Sequence, residues 1–512
     1  MKVEGASTKL KAYNNPIISG FAPDPSCIRV NEQYFCVTSS FSVFPGIPVY
    51  TSRDLVQWQQ IGNVLSRPEQ LPHLALVNQT TGGIWAATIR EHDGTFFVTS
   101  TLVFDGEPQT NPDRWDNVNI FANNGNGWSD PVHFSFYGYD TSLFWDDDGS
   151  VYVQGSHAWH IFPAIQQYKI DVSTGNALSE PIILWNGTGG LAPEAPHVYK
   201  RDDGYYLMIA EGGTGVGHMV TMAKSLNIAG PYTGYTHNPV LTNANTTEYL
   251  QTVGHADLFT DTAGNWWAVA LATRNATPID DDSKDPLVGH SQHIIFPAGP
   301  NAPLTSLPRQ LVYYRFPDFS RFTVAPPGHP QTLRILGSAE NITGNGFIGS
   351  STFITRRQDA VEFTAEVALE FAPDLSHSSV EEEEAGMTLF IQRNQHFDLG
   401  VLALPSTSGD GTLQKWDERP AKPGILPLAH GLDKLRLRVQ AVNASTYAFS
   451  YSDLAQDGQP ILWKTVGYGT ASEVSGGFTG TTVGMFATGN GHNSTTFAYF
   501  SNFTYDPVQG VF

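Results

Sequence analysis

The sequence predicts an all-β protein, a five-bladed β-propeller followed by a C-terminal β-sandwich. Three observations carry this. A strand–turn–strand pattern returns five times, at intervals of 61, 55, 54 and 61 residues. A period that long in an all-β chain belongs to a propeller or a solenoid. The 512 residues include 49 Gly and 33 Pro, and short alternating apolar runs outnumber helix-period ones. After about residue 335 the pattern changes to longer period-two strands with one wet face, the mark of a sandwich.

The five copies read APDPSCIRVNEQYF, GIWAATIREHDGTFF, GYDTSLFWDDDGSVY, PEAPHVYKRDDGYY and GHADLFTDTAGNWW. Asp93-Gly94, Asp148-Gly149, Asp203-Gly204 and Ala263-Gly264 form the turns, because a tight hairpin needs residues that tolerate positive φ. The strands that follow, such as YYLMIA and WWAVALA, are aromatic and β-branched. At the head of each first strand stands a different residue: Asp24, Trp85, Asp140, Glu194 and His255. In the last four copies it lies 11 positions before the second strand's anchor (Phe96, Val151, Tyr205, Trp266); in the first it lies 10 before Tyr34. Equivalent positions of propeller blades meet at the central axis, so three carboxylates, a tryptophan and a histidine are expected at one place.

The propeller is assigned to 14–318, a Pro-rich linker or strap to 319–334, and the sandwich to 335–512. In the sandwich Val361, Phe363, Ala365, Val367, Leu369 and Phe371 alternate along one face. Leu435, Leu437, Val439 and Ala441 alternate against Lys434, Arg436, Arg438 and Gln440. The acid run Glu381 to Glu384 reads as a solvated loop. Cys27 and Cys36 flank the first turn and would face each other on a hairpin, leaving a disulfide or two buried thiols open.

A formal net charge of −21 argues against nucleic acid, whose phosphates require a basic footprint, and against anionic membranes. No apolar stretch is long enough to span a bilayer as a helix. A neutral substrate such as a sugar fits. The start, MKVEGASTKLKAYNN, lacks the apolar core of a signal peptide, which leaves a cytosolic protein or a native leader replaced by a starting Met. Eight Asn-x-Ser/Thr sequons begin at Asn78, Asn186, Asn245, Asn275, Asn341, Asn443, Asn493 and Asn502. They favour a secreted, extracellular glycoprotein.

Three converging carboxylates are the equipment of glycoside hydrolysis: an acid to protonate the departing oxygen, a base to act on water, and a third to hold the acid and raise its pKa. Asp24 and Asp140 taken singly read as a turn residue and a cap; their shared repeat position favours catalysis. Trp85 offers an apolar face for a pentose ring, with a core tryptophan as the plain alternative. Asp146 to Asp148 and Asp280 to Asp282 fall in turns and loops and receive no catalytic role.

The stretches around these residues resemble family 43 glycoside hydrolases. They are Asn15-Pro16, Gly20-Phe21, Pro23-Asp24-Pro25-Ser26, Gly83-Ile84-Trp85-Ala86, Tyr139-Asp140-Thr141-Ser142-Leu143-Phe144, Glu194-Ala195-Pro196-His197, Ala210-Glu211-Gly212-Gly213-Thr214 and Gly254-His255-Ala256-Asp257. Glu384-Ala385-Gly386-Met387 and His396-Phe397-Asp398-Leu399-Gly400 look like the sandwich of that family's two-domain branch. The resemblance implies an inverting enzyme with Asp24 as general base, Glu194 as general acid and Asp140 tuning and orienting Glu194. It implies substrate contacts from Phe44, as an aromatic wall, and Arg274, with a salt bridge and a core aromatic as the plain alternatives. It implies no required cofactor; His255 would lie beside a central calcium or a water cluster, or be a satisfied core histidine.

Within that family the expected activity is removal of α-L-arabinofuranosyl side chains from arabinoxylan, a plant cell-wall polysaccharide. The alternative is β-xylosidase action on xylo-oligosaccharides. Two-domain xylosidases carry a Gly-Arg-Glu run after the fifth repeat. The corresponding HSQHIIFPAGPNAPLTSLPRQ lacks it, which favours the arabinofuranosidase. A non-catalytic carbohydrate-binding propeller is the reading from another class, and the presence of all three acids argues against it.

Overall fold

The computed structural model describes residues 15–508 apart from 78, 80, 124–126, 275–305, 345–349, 374–381, 405–412, 419–433, 456–459 and 477–478. Each repeat opens one blade. Blade 1 runs Ser26–Val30, Gln33–Val37, Gly46–Ser52 and Gln59–Leu65 as an antiparallel sheet in chain order. Blade 2 is Thr88–His92, Thr95–Val103, Trp115–Asn123 and Val132–Phe134, with Gly83–Ile84 pairing further along the second strand. Blade 3 is Gly138–Trp145, Val151–His157, Ile165–Lys169 and Ile182–Trp185. Blade 4 is Glu194–Arg201, Gly204–Glu211, Met219–Ser225 and Thr233–Gly234. The described part of blade 5 is the pair Leu250–Thr260 and Trp266–Arg274. First strands of neighbouring blades touch in the order 1, 2, 3, 4, 5 and back to 1, which closes the ring.

The hairpin turns follow from their residues. Asp93 and Gly94 sit at φ 49° and 77°, the two left-handed positions of a two-residue turn between His92 and Thr95. Cys27 and Cys36 are direct cross-strand partners, 4.1 Å apart at Cα, and form a disulfide.

The C-terminal domain is two packed seven-stranded sheets. The two alternating runs of the sequence lie side by side, Phe363 opposite Ala441, Ala365 opposite Val439, Val367 opposite Leu437 and Leu369 opposite Leu435. Their apolar members from Phe363 to Phe371 and from Leu435 to Ala441 are buried, Val361 before the strand being half-buried, and on the wet face Glu366 bridges Arg436 and Arg438 at 2.7 and 2.6 Å. Among the described residues no helix is long and apolar enough to cross a membrane.

Two expectations need correction. The stretch 319–334 is not a strap between domains: Phe322–Val324 and Thr332–Leu336 form a hairpin at the edge of one sandwich sheet. The sandwich begins earlier still, because Leu311–Tyr314 pairs with Phe353–Arg357 in the other sheet. That sheet also takes in Val43–Phe44 from the first blade's connection. Strands of three to five residues after prolines carry too little alternation to be read from sequence. The run Glu381 to Glu384 is likewise not all solvated. Glu383 is fully buried and accepts from the Thr495 and Thr496 backbone N–H groups and the Thr495 hydroxyl. A continuous apolar core joins blades 1 and 2 to the sandwich, with Ile47, Val64 and Ile89 on one side and Phe363, Val439 and Phe500 on the other.

Candidate active site

The strand heads are irregular in a repeated way. Asp24, Asp140 and His255 have φ of 54°, 53° and 47°, and Ala195, just after Glu194, has 52°. Ladder register shifts between Tyr139 and Ser142, between Glu194 and His197, and between Gly254 and Asp257. A bulge of this kind re-aims the side chain at a strand end. Left-handed backbone at such residues costs about 1–3 kcal/mol each and persists where the surroundings enforce it. The result is one cavity at the axis, lined by Asp24, Trp85, Asp140, Glu194, His255 and Arg274 together.

Within it, the Ser39 hydroxyl donates to Asp24 Oδ2, and His255 Nδ1 lies 3.3 Å from Asp24 Oδ1. Tyr139 donates its hydroxyl to Glu194 Oε2 at 3.3 Å. Asp140 and Glu194 are 6% and 8% exposed. Burial, and then the neighbouring charges of Glu194 and Asp24, push the Asp140 carboxyl well above the ordinary aspartate value, against a stabilising backbone N–H from Ala195. Burial lowers the His255 imidazole below its usual value despite the pull of Asp24 and Asp257, so it is neutral at pH 7.

Glu211, named in the sequence only as part of a motif, fixes the approach to Glu194. Its fully buried carboxylate accepts from the Thr188 and Gly190 N–H groups and from the Thr188 and Thr221 hydroxyls. That pins the turn leading through Leu191 and Ala192, both in the cavity wall, to Glu194.

Phe44 is not in the cavity. Its ring is buried at the domain junction, edge-on to Phe316 at 4.9 Å, and the wall position belongs to Phe41. Adjacent aromatics in Phe41-Ser42-Val43-Phe44 cannot be assigned to faces when Phe41 bridges to Ile84 at φ 48° and breaks the alternation. Asp146 lies in its hairpin region, bound to Lys200 and Tyr205, while Asp280 to Asp282 and most of the 290–310 segment lie outside the described residues.

Sequence reasoning also passed over wall residues. Tyr139 stacks on Trp115 at 5.4 Å and meets Trp85 edge-on at the same distance. Trp85 is tied by its indole N–H to the Thr81 carbonyl at 2.7 Å. Arg114, paired with Asp105, adds a second cavity arginine. Thr479 and Gly480 bring the sandwich to the wall, where Gly480 abuts Phe21 and Arg357 lies 5.4 Å over the Phe21 ring. Only Tyr139 left a trace in sequence, as the aromatic neighbour of a strand head.

A calcium ion beside His255 would have few uncommitted side-chain oxygens to draw on. Calcium takes six to eight oxygens, yet the nearest carboxylates are already engaged, Asp24 by Ser39 and Asp257 by an arginine. Among the described residues no group of three or more His, Cys, Asp or Glu side chains could hold a metal.

Comparison with known proteins completes the picture. Residues 13–289 match the family model described as glycosyl hydrolases family 43, and residues 305–506 match that of the beta xylosidase C-terminal concanavalin A-like domain. The chain is 33% identical over 531 residues to a non-reducing end alpha-L-arabinofuranosidase of Bacteroides ovatus, covering 97% of this chain and 95% of the relative. It is 31% identical over 557 residues to a xylosidase/arabinosidase of Butyrivibrio fibrisolvens, covering 97% and 99%. The crystal structure of a xylan beta-1,4-xylosidase from Bacillus halodurans superposes with a TM-score of 0.82 at 28% identity, covering 97% of this chain and all of that one. Propeller, acid cluster and sandwich thus agree with sequence relationship along nearly the whole length, and the chain belongs to glycoside hydrolase family 43, as one of its two-domain members.

Proposed function

We propose that the enzyme removes α-L-arabinofuranosyl groups from arabinoxylan with inversion at the anomeric carbon. The carrying observation is that Asp24, Asp140 and Glu194 occupy equivalent strand heads around one cavity while Asp140 is pushed toward its protonated form. Glu194 is the general acid and protonates the departing glycosidic oxygen. Asp24 is the general base; with Ser39 and His255 fixing its two oxygens, it takes a proton from the water that attacks the opposite face of the sugar. Asp140 resists a second negative charge beside Glu194 and so keeps a proton available to it. Trp85 offers a ring face to the sugar, and Arg274 supplies hydrogen-bond donors.

The choice of arabinose rests on the missing Gly-Arg-Glu run and on the Bacteroides relative. β-Xylosidase action is the second reading, supported by the Bacillus and Butyrivibrio relatives. Release of 4-nitrophenol from its α-L-arabinofuranoside and β-D-xyloside, compared as kcat/KM, decides between them. A higher value on the xyloside overturns the first reading, and no release from either removes the hydrolase. Extracellular action is supported by the disulfide and by the exposed sequon residues Asn186, Asn245, Asn443, Asn493 and Asn502.

A further inference from the structure

Beneath the acids the propeller axis holds a second polar layer. Ser26 and Asp257 each follow a strand head by two positions, Asp24 and His255, and His197 follows Glu194 by three. Two residues along a strand is about 6–7 Å. Asp257 is fully buried and accepts five hydrogen bonds: from Arg90 Nη1 at 2.8 Å and Nη2 at 3.1 Å, the Ser26 hydroxyl at 2.6 Å, the Tyr199 hydroxyl at 2.7 Å and the Leu258 N–H at 2.9 Å. Arg90 Nη2 also donates to His197 Nδ1 at 2.8 Å, and Nη1 to the Ile89 carbonyl at 2.7 Å. A guanidinium only donates, so the His197 ring accepts at Nδ1 and is neutral. Burial indeed pushes it down to about 3. Burial alone would raise the Asp257 carboxyl, but the Arg90 charge, with the hydrogen bonds from Arg90 and Ser26, outweighs it and holds it below the usual aspartate value. Side chains from blades 1, 2, 4 and 5 thus converge on one fixed cation.

We propose that Arg90 is a positioning residue that does the work of a central metal ion: clamped by Asp257, it ties four blades at the axis and supplies the positive charge beneath Asp24, Asp140 and Glu194, so that neither folding nor hydrolysis draws on a divalent cation. This rests on the roles proposed above for Asp24 and Glu194. An unpaired carboxylate at Asp257 would act on His255, whose imidazole its charge raises, and an unpaired Arg90 on His197, whose imidazole its charge lowers. The titratable groups in direct electrostatic reach of the layer are His197, Tyr199 and His255.

The test has two arms on the full chain. In the first, melting temperature and aryl-pentoside hydrolysis are compared after dialysis against EDTA and after addition of calcium or magnesium chloride. Both are expected to stay the same; a melting temperature or rate that falls with EDTA and returns with calcium overturns the proposal. The melting readout needs no activity, so a failed assay would count against the hydrolase and not against Arg90. In the second, the pH profile of kcat/KM is taken for Arg90→Met, Asp257→Asn and the double variant. Losing the cation takes a positive charge out of the layer beneath the acids, so the acidic limb should move up in Arg90→Met. It should move down by a similar amount in Asp257→Asn and return in the double variant. Limbs that stay put, or move the same way in both single variants, contradict the proposal. If either single variant does not fold, Arg90→Lys, which keeps the charge and loses the fork, should hold the wild-type limb; a displaced limb there contradicts it equally.

Discussion

The propeller and the sandwich are both antiparallel β-structure, yet they treat irregular backbone in opposite ways. In the propeller left-handed residues stand at or next to the strand heads, at Asp24, Asp140, Ala195 and His255, buried or nearly so and lining or adjoining the acid cluster, with Ile47 and Thr252 further inside strands. In the sandwich the described strands hold one such residue, Asn502, an exposed asparagine beside a register shift. Asparagine tolerates that conformation and its cost is small. Strain therefore collects where chemistry is proposed, and the sandwich remains a regular packing unit whose contribution to the cavity is a short stretch of wall at Thr479 and Gly480.

Substitutions sharpen this contrast. Asp24→Ala should remove the base and cost about 10⁴-fold in kcat on every substrate, with the melting temperature nearly kept. Activity within tenfold of the parent would break the assignment. Glu194→Ala should lose about 10²–10⁴-fold on natural glycosides and far less on aryl glycosides whose leaving group needs no proton; equal losses would take the acid role away. Asp140→Asn removes the carboxyl that titrates beside Glu194, and the alkaline limb of the pH–rate profile should move down; an unmoved limb would leave Asp140 with orientation alone.

The sandwich should respond in stability. Phe363→Ala opens a cavity in the core and should cost about 3–5 kcal/mol in denaturant unfolding, with kcat/KM of the surviving folded enzyme close to the parent. A large loss in kcat/KM at unchanged stability would mean that the domain works on the cavity more directly. Smallest of all, Lys434→Ala breaks a 2.8 Å pair with Glu370 whose members are 60% and 33% exposed, and should change stability by less than about 1 kcal/mol.

How far the sequence carried the reading differs in the same two regions. Repeat spacing alone brought Asp24, Trp85, Asp140, Glu194 and His255 to one axis, because a propeller turns equal sequence position into equal radial position. It said nothing of the left-handed φ at the strand heads, since Asp and His do not announce that conformation as Gly does. Phe44 was misplaced for that reason: Phe41 breaks the alternation, and Phe44 turns into the junction. Glu211, Arg90 and Asp257 were legible only as motif letters or strand residues, because a buried charge is identified by its partners, here 167 residues apart in the Arg90–Asp257 pair. In the sandwich the long runs 361–371 and 434–441 paired as their alternation required. Its short first strand, Leu311–Tyr314, went unseen because four residues hold too few alternations to count.

The central claim is that water, activated by Asp24 and opposed by the acid Glu194, attacks the anomeric carbon directly. Proton NMR of the first-formed sugar from an arabinoxylan oligosaccharide tests this most directly. The account predicts that an α-linked arabinofuranosyl group first appears as β-arabinose, before mutarotation. Initial appearance of the α-anomer would mean a covalent intermediate and would contradict it.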